Sequence, residues 1–264
     1  MINVEHIGIT FNRGNALEMR ALQDINLSIP AGQFVTVIGS NGAGKSTLLN
    51  ILAGELIPDT GRVLVDDRDI TVWPVYRRSS IIARMFQDPR AGICETMSII
   101  ENIAIASART APRGFRFGIN ATIRRVAIER LAMLGLGLEK RLDDRVALLS
   151  GGQRQALALI MATFGPTKLL LLDEHTAALD PAAAQQVMEL TAGVVRSLGI
   201  TTVMVTHSMR QALDYGARTI MLHQGHVTLD VSGDERAGLT MENLIGLFQR
   251  REGTVLADDQ LLLT

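Results

Sequence analysis

The chain has 264 residues, 47% of them hydrophobic, which is ample for a buried core and excludes intrinsic disorder. Its 26 basic and 27 acidic side chains leave a net charge of −1, which excludes the strongly basic balance of a protein that binds nucleic acid through its phosphates; no nucleic-acid partner is expected. A single cysteine, Cys94, excludes an intramolecular disulfide framework and a cysteine-based zinc site, as suits a reducing cytosol.

The first thirty residues alternate loosely in apolar character (Ile7, Ile9, Phe11; Leu22, Ile25, Leu27, Ile29) and predict antiparallel strands. From Phe34 the pattern changes to short, nearly continuous apolar runs at 34–38, 80–86, 169–172 and 201–206. Such runs suit strands of a parallel sheet covered on both faces. Helical patterns alternate with them at 45–53, 156–164 and 182–198. The last is punctuated by Asp180 as N-cap, Pro181 at the first helical position and Gly199 past its end. Between Asp88 and Ser150 the texture is helical (98–109 and 121–134), without a convincing strand. The expected organisation is therefore an α/β core in two parts, 1–88 and 156–248, the first including an antiparallel β subdomain. A helical subdomain at 89–155 is inserted between them, and 249–264 form a tail. Mean hydropathy is +0.21, yet the richest apolar stretch, 156–172, is cut by Gly165, Pro166 and Lys168 short of the roughly 20 residues a membrane span needs. The N-terminal residues lack a basic region followed by an apolar run, so no signal peptide is expected.

Gly39-Ser40-Asn41-Gly42-Ala43-Gly44-Lys45-Ser46-Thr47 fits the pattern G-x-x-x-x-G-K-[ST] directly after a predicted strand and at the opening of a helix. Glycines let the backbone wrap phosphate oxygens with its N–H groups inward, and the following helix adds partial positive charge. Lys45 is placed for the β- and γ-phosphates and the Ser46 hydroxyl for Mg²⁺. Lysine is scarce in this chain, with only Lys45, Lys140 and Lys168 among the 26 basic residues, so a lysine in that position is not accidental.

Leu169-Leu170-Leu171-Leu172-Asp173-Glu174 sets two carboxylates at the end of an apolar strand, the edge at which open α/β sheets bind ligands. Asp173 is the expected Mg²⁺ partner and Glu174 the group that orients or deprotonates an attacking water. Gln87 and His207 end two further strands and become candidate sensors of the γ-phosphate and of Mg²⁺. In Leu149-Ser150-Gly151-Gly152-Gln153-Arg154-Gln155, Ser150 and Gln153 form a capping box. Capping alone does not call for two glycines in the first turn, each costing up to about 1 kcal/mol against alanine. A close approach by the phosphates of a second nucleotide explains them.

In this order and spacing the phosphate loop, Gln87, the segment 149–155, the carboxylates at 173–174, the Ala178-Leu179-Asp180 turn and His207 resemble the ATP-binding subunits of ABC transporters, over nearly the whole chain. The resemblance implies the ABC ATPase fold: a P-loop NTPase core with a mainly parallel sheet, an N-terminal antiparallel subdomain and the helical insertion. It implies ATP and Mg²⁺, and a head-to-tail dimer holding two ATPs. Each ATP would lie between the loop of one copy (Gly39, Asn41, Gly42, Ala43, Gly44, Lys45, Ser46, Thr47) and Ser150, Gly151, Gly152 and Gln153 of the other. By the same likeness Glu174, His207 and Gln87 serve hydrolysis, Ser46, Gln87 and Asp173 the metal, Asp180 faces the second copy, and Phe11 stacks on adenine where the family often has tyrosine. Transmembrane permease subunits and, indirectly, a substrate-binding protein are implied partners, with the chain peripheral on the cytoplasmic face of the membrane.

The residue after Glu174 is commonly proline in that family; here it is His175, read as a tolerated variant of the turn. The runs at 173–181, Phe86-Gln87-Asp88-Pro89-Arg90-Ala91-Gly92 and Met97-Ser98-Ile99-Ile100-Glu101-Asn102-Ile103 resemble a subgroup of bacterial importers paired with permeases of the branched-chain amino-acid type, for which tryptophan or tyrosine is a proposed substrate. A soluble ABC-type ATPase of DNA repair or translation is the alternative, as is a binding-only regulatory subunit. The first would carry a coiled-coil insertion or a second ATPase unit, and the intact Glu174 and His207 count against the other. The arginines at 109, 113, 116, 124, 125 and 130 read as a solvated helical face, with contact to anionic lipid headgroups as the sharper reading. Cys94 reads as a small apolar residue in the region expected to meet a permease.

Overall fold

The computed structural model describes residues 1–88, 91–109 and 118–252, and divides into two units, one of residues 1–78 and 201–252 and the other of residues 79–200. These borders are a different division from the expected segments at 1–88, 89–155 and 156–248. The first unit opens with β1 (Ile2–Phe11) and β2 (Met19–Ile29), antiparallel as expected, with Ile2 opposite Ile29 and Phe11 opposite Met19. Then come β3 (Phe34–Ile38) and α1 (Lys45–Ala53), followed by β4 (Thr60–Val65), β5 (Arg68–Asp69) and the single turn α2 (Val75–Arg78). β4 pairs antiparallel with β1 and β5, completing a four-stranded sheet in the order β2-β1-β4-β5.

The second unit contains β6 (Ile82–Met85), α3 (Ile99–Ser107), α4 (Ala121–Ala132), α5 (Gly151–Ala162), β7 (Leu169–Asp173) and α6 (Pro181–Leu198). β6 and β7 run parallel, with Met85 opposite Leu172. Leu169 to Leu172 are fully buried, as a strand covered on both faces requires. Among the described residues from 91 to 150 the elements are helices, two short 3₁₀ turns and one isolated bridge, Ser98 to Arg145, so the expected helical texture holds. Each helix start follows from a side chain: Ser98 and Ser150 form reciprocal capping boxes with Glu101 and Gln153, and Asn120 and Asp180 cap α4 and α6. α5 therefore begins five residues before the helix expected at 156, because the capping box closes the glycine turn into the helix.

The chain returns to the first unit with β8 (Thr201–Val205), α7 (Met209–Tyr215), β9 (Arg218–His223), β10 (His226–Ser232), α8 (Gly233–Ala237) and α9 (Met241–Glu252). β3 pairs parallel with β8 on one side and with β9 on the other, and β10 joins β9 as an antiparallel hairpin. β3 and β8 are buried along their whole length. None of the described helices is long and apolar enough to cross a membrane. The tail from residue 253, with Leu261 to Leu263, lies outside the described residues, as do Pro89, Arg90, Arg113 and Arg116.

Candidate functional site

In the first unit, Gly39 to Gly44 connect β3 to α1. Backbone contacts decide two of its glycines: a Cβ on Gly39 would lie 2.2 Å from the Leu222 carbonyl oxygen of β9, and one on Gly44 2.5 Å from that of Ala21 on β2. Both also hold left-handed φ angles, 149° and 104°. The loop is thus gripped between β2 and β9 at its two ends, Gly39 and Gly44, with no room for a side chain at either. Lys45 is 6% exposed, and its ammonium donates to the carbonyls of Gly39 (2.7 Å) and Ser40 (2.9 Å), curling back over the loop. No described side chain caps α1, and its first turn holds no acidic residue. First-turn amides have no acceptor within their own helix, so those of α1 are presented to an anion. The Ser46 hydroxyl is exposed beside them, as are Asn41 and Gly42.

His207 follows β8, whose Val205 is paired with Val37 of β3, and the Thr206 N–H donates to the Val37 carbonyl at 3.2 Å. Adjacent parallel strands thus bring His207 to the carboxyl edge from which the loop springs. Phe11, half-buried, ends β1 opposite Met19, two residues from the Ala21 that touches Gly44.

In the second unit the carboxyl ends of β6 and β7 bring together Gln87, which is exposed, and the half-buried Asp173 and Glu174. Asp173 is engaged by a residue the sequence reading did not single out: Arg84 of β6 donates to its Oδ2 at 2.6 Å and stacks over the Phe86 ring, 5.0 Å from its centroid. The signal was an arginine inside an apolar strand. Asp173, Glu174 and the described histidines and cysteine form no cluster of three that could cage a metal, among the described residues. That donor set suits Mg²⁺, which keeps waters and takes phosphate oxygens rather than an all-protein cage.

The α5 turn opens on a cavity of about 520 Å³ lined by Ser150, Gly151, Gly152 and Gln153 and, across it, by Ala178 and Asp180. Ser150 Oγ accepts from the Gln153 N–H (3.2 Å), which leaves its own O–H free to donate into the cavity. Asp180 Oδ1 accepts from the Ala183 N–H at 3.1 Å. Packing does not require the two glycines: a Cβ on Gly151 would meet Leu179 Cδ2 at 3.4 Å, and one on Gly152 only side-chain methyls at 3.9 Å.

Residues 22–177 match the ABC transporter family, which is more than half of the chain. The chain belongs to that family. It is similar to a tyrosine transport ATP-binding protein of Clostridioides difficile (strain R20291), 41% identical over 94% of this chain and 99% of that protein. Among solved structures it is similar to an ATP-binding cassette captured as a dimer after hydrolysis with ADP and phosphate (28% identity, TM-score 0.71, 88% of this chain and 98% of that one). It is also similar to CbiO1 of Clostridium perfringens, part of the ABC transporter complex CbiONQ (27% identity, TM-score 0.77, 95% and 94%). The fold is accordingly the α/β fold of ABC ATPases, and the chain is an ATP-binding, ATP-hydrolysing component of a transporter.

His175, read from the sequence as a variant of the turn, is buried: it is 2% exposed, its carbonyl accepts from the Gln155 side chain at 2.6 Å, and its Nε2 lies 3.3 Å from Thr191 Oγ1. Burial holds its imidazole pKa down to about 4, so the ring is neutral. In the basic stretch the Arg124 and Arg125 side chains are exposed, as a solvated face requires, and both are paired. Arg109 donates to the carbonyls of Met161 and Ala162 at the end of α5, Arg124 is forked onto Asp143, and Arg125 pairs with Glu129. Cys94 is half-buried, with its thiol 3.3 Å from Thr96 Oγ1; hydrogen bonds from Thr96 draw the thiol pKa downward.

Proposed function

We propose that this chain is the ATPase subunit of an importer for an amino acid or a related small solute, working as a homodimer that closes on two MgATP against transmembrane permease subunits at the cytoplasmic face of the membrane. The observation that carries the reading is the uncapped start of α1, wrapped by a loop gripped between two strands with Lys45 folded over it. That arrangement fits a polyphosphate. In this reading the loop from Gly39 to Thr47 takes the β- and γ-phosphates of ATP and Phe11 stacks on the base. Ser46, Gln87 and Asp173 would hold Mg²⁺, which would neutralise phosphate charge.

Glu174 accepts a proton from the attacking water, and His207 donates to the γ-phosphate. Ser150, with Gly151, Gly152 and Gln153, takes the γ-phosphate of the ATP held by the second copy, and Asp180 faces that copy. ATP is then a ligand shared by two subunits, and its higher affinity for the closed pair drives closure. The dimeric ADP-bound relative supports the arrangement, and the tyrosine transport relative supports an amino-acid cargo. Vesicles holding this chain with its permease should accumulate labelled aromatic or branched-chain amino acid only with internal ATP. Uptake of none of these, with ATPase activity intact, overturns the cargo.

A further inference from the structure

Glu174 sits in a backbone conformation that needs external support. Its φ is 46°, in the left-handed region that side chains rarely adopt. The turn that follows is closed by the Ala177 N–H on the Glu174 carbonyl (2.9 Å) and the Leu179 N–H on the Thr176 carbonyl (3.1 Å), and it runs directly into Asp180 and α6. Within this turn His175 is bonded to two helices at once. Its carbonyl accepts from Gln155, five residues along α5 from Ser150, and its ring faces Thr191 in the third turn of α6. The Thr191 hydroxyl spends its single proton on the Val187 carbonyl at 2.7 Å. The proton in the His175 to Thr191 contact is therefore on Nε2, and the imidazole is the donor. A proline after Glu174 would keep the carbonyl and lose the ring contact.

We propose that His175 is a positioning residue for Glu174, fastening the turn that carries the carboxylate to α5 and α6 together, so that contact of a nucleotide with the Ser150 turn is coupled to the aim of Glu174 in the same subunit. This rests on the reading of Glu174 as the base and Ser150 as a nucleotide contact. A displacement of about 1 Å of such a group costs up to about a hundredfold in rate.

The test uses the full chain with His175→Ala, His175→Gln, Thr191→Val, the His175→Ala/Thr191→Val pair and Glu174→Gln, reading kcat, KM, melting temperature and ATP affinity by calorimetry. Thr191→Val keeps the packing nearly unchanged, so it reports even where His175→Ala unfolds. Expected are kcat losses of roughly tenfold or more in Thr191→Val and His175→Ala with ATP affinity within about threefold, and a double variant no worse than the worse single. His175→Gln should recover most of kcat, because its amide N–H reaches the same hydroxyl. Wild-type kcat in Thr191→Val and His175→Ala, or additive losses, or no recovery in His175→Gln, overturns the proposal. Retained hydrolysis in Glu174→Gln overturns instead the reading on which it rests.

Discussion

The start of α1 in the first unit and the start of α5 in the second are both glycine-bearing helix N-termini assigned to phosphate, yet they are built in opposite ways. At α1 no described side chain caps the helix, and Lys45 donates to carbonyls of its own loop, bonds that an anion can replace. At α5 the Ser150 and Gln153 box already satisfies the first turn, leaving one hydroxyl proton and two bare glycines to offer. The same holds for its neighbours in that unit: Arg84 occupies Asp173, and the Ala183 N–H occupies Asp180. An uncapped helix end gains a strong ligand, whereas a satisfied one gains only the difference between two sets of bonds. The α1 turn should therefore anchor nucleotide, and the α5 turn should read a nucleotide that another copy has already bound.

The largest effects should appear where that contrast is removed at its open end. Lys45→Ala should weaken ATP binding by on the order of a hundredfold or more, measured by calorimetry, since it truncates a charged contact to phosphate; unchanged affinity would break the contrast. Glu174→Gln should keep ATP affinity and lose on the order of 10²- to 10⁴-fold in turnover. Ser150→Ala should lower the stability of the chain by about 1 kcal/mol through the lost cap and lower turnover, while ATP affinity at low protein concentration stays as in the wild type. A loss of affinity equal to that of Lys45→Ala would place both ends in one copy. Arg84→Met should free Asp173 and raise apparent Mg²⁺ affinity in the ATPase assay by about two- to fivefold. A fall in that affinity would make Arg84 a support of Asp173 rather than its competitor.

The smallest effect concerns pH. His175 titrates at about 4 in the folded chain against an ordinary 6.5, so between those values the unfolded chain binds a proton that the folded chain does not. Its contribution to stability is whole above pH 6.5 and is lost as pH falls toward 4. In nucleotide-free protein, melting temperature should drop over that range more steeply in the wild type than in His175→Gln; equal slopes would show that other groups govern acid unfolding.

How much of this was legible in the sequence divides along local and non-local physics. The loop from Gly39 to Thr47, the Asp180, Pro181 and Gly199 punctuation of α6 and the buried leucines of β7 are written in short runs and came through intact. The hairpin of β9 and β10 did not, although its Gln224 and Gly225 turn, both at positive φ, carries a hairpin signature between two apolar runs. β4 was missed because only Val63 to Val65 of its six residues form an apolar run, and β5 because two residues make no pattern. Arg84 on Asp173 and His175 between Gln155 and Thr191 join residues 89, 20 and 16 positions apart, and no spacing rule reaches them. The burial of His175 is hidden for a further reason: a residue in a turn carries no periodic pattern that says which helices pack on it.

The division of labour between α1 and α5 is tested most directly by sedimentation of the Glu174→Gln chain, which should hold ATP without turning it over, at a concentration where the nucleotide-free chain is a monomer. With MgATP it should become a dimer, and Ser150→Arg in the same background should bind ATP and stay a monomer. A Glu174→Gln chain that binds ATP and remains a monomer, or one whose dimer is indifferent to Ser150→Arg, would contradict the account.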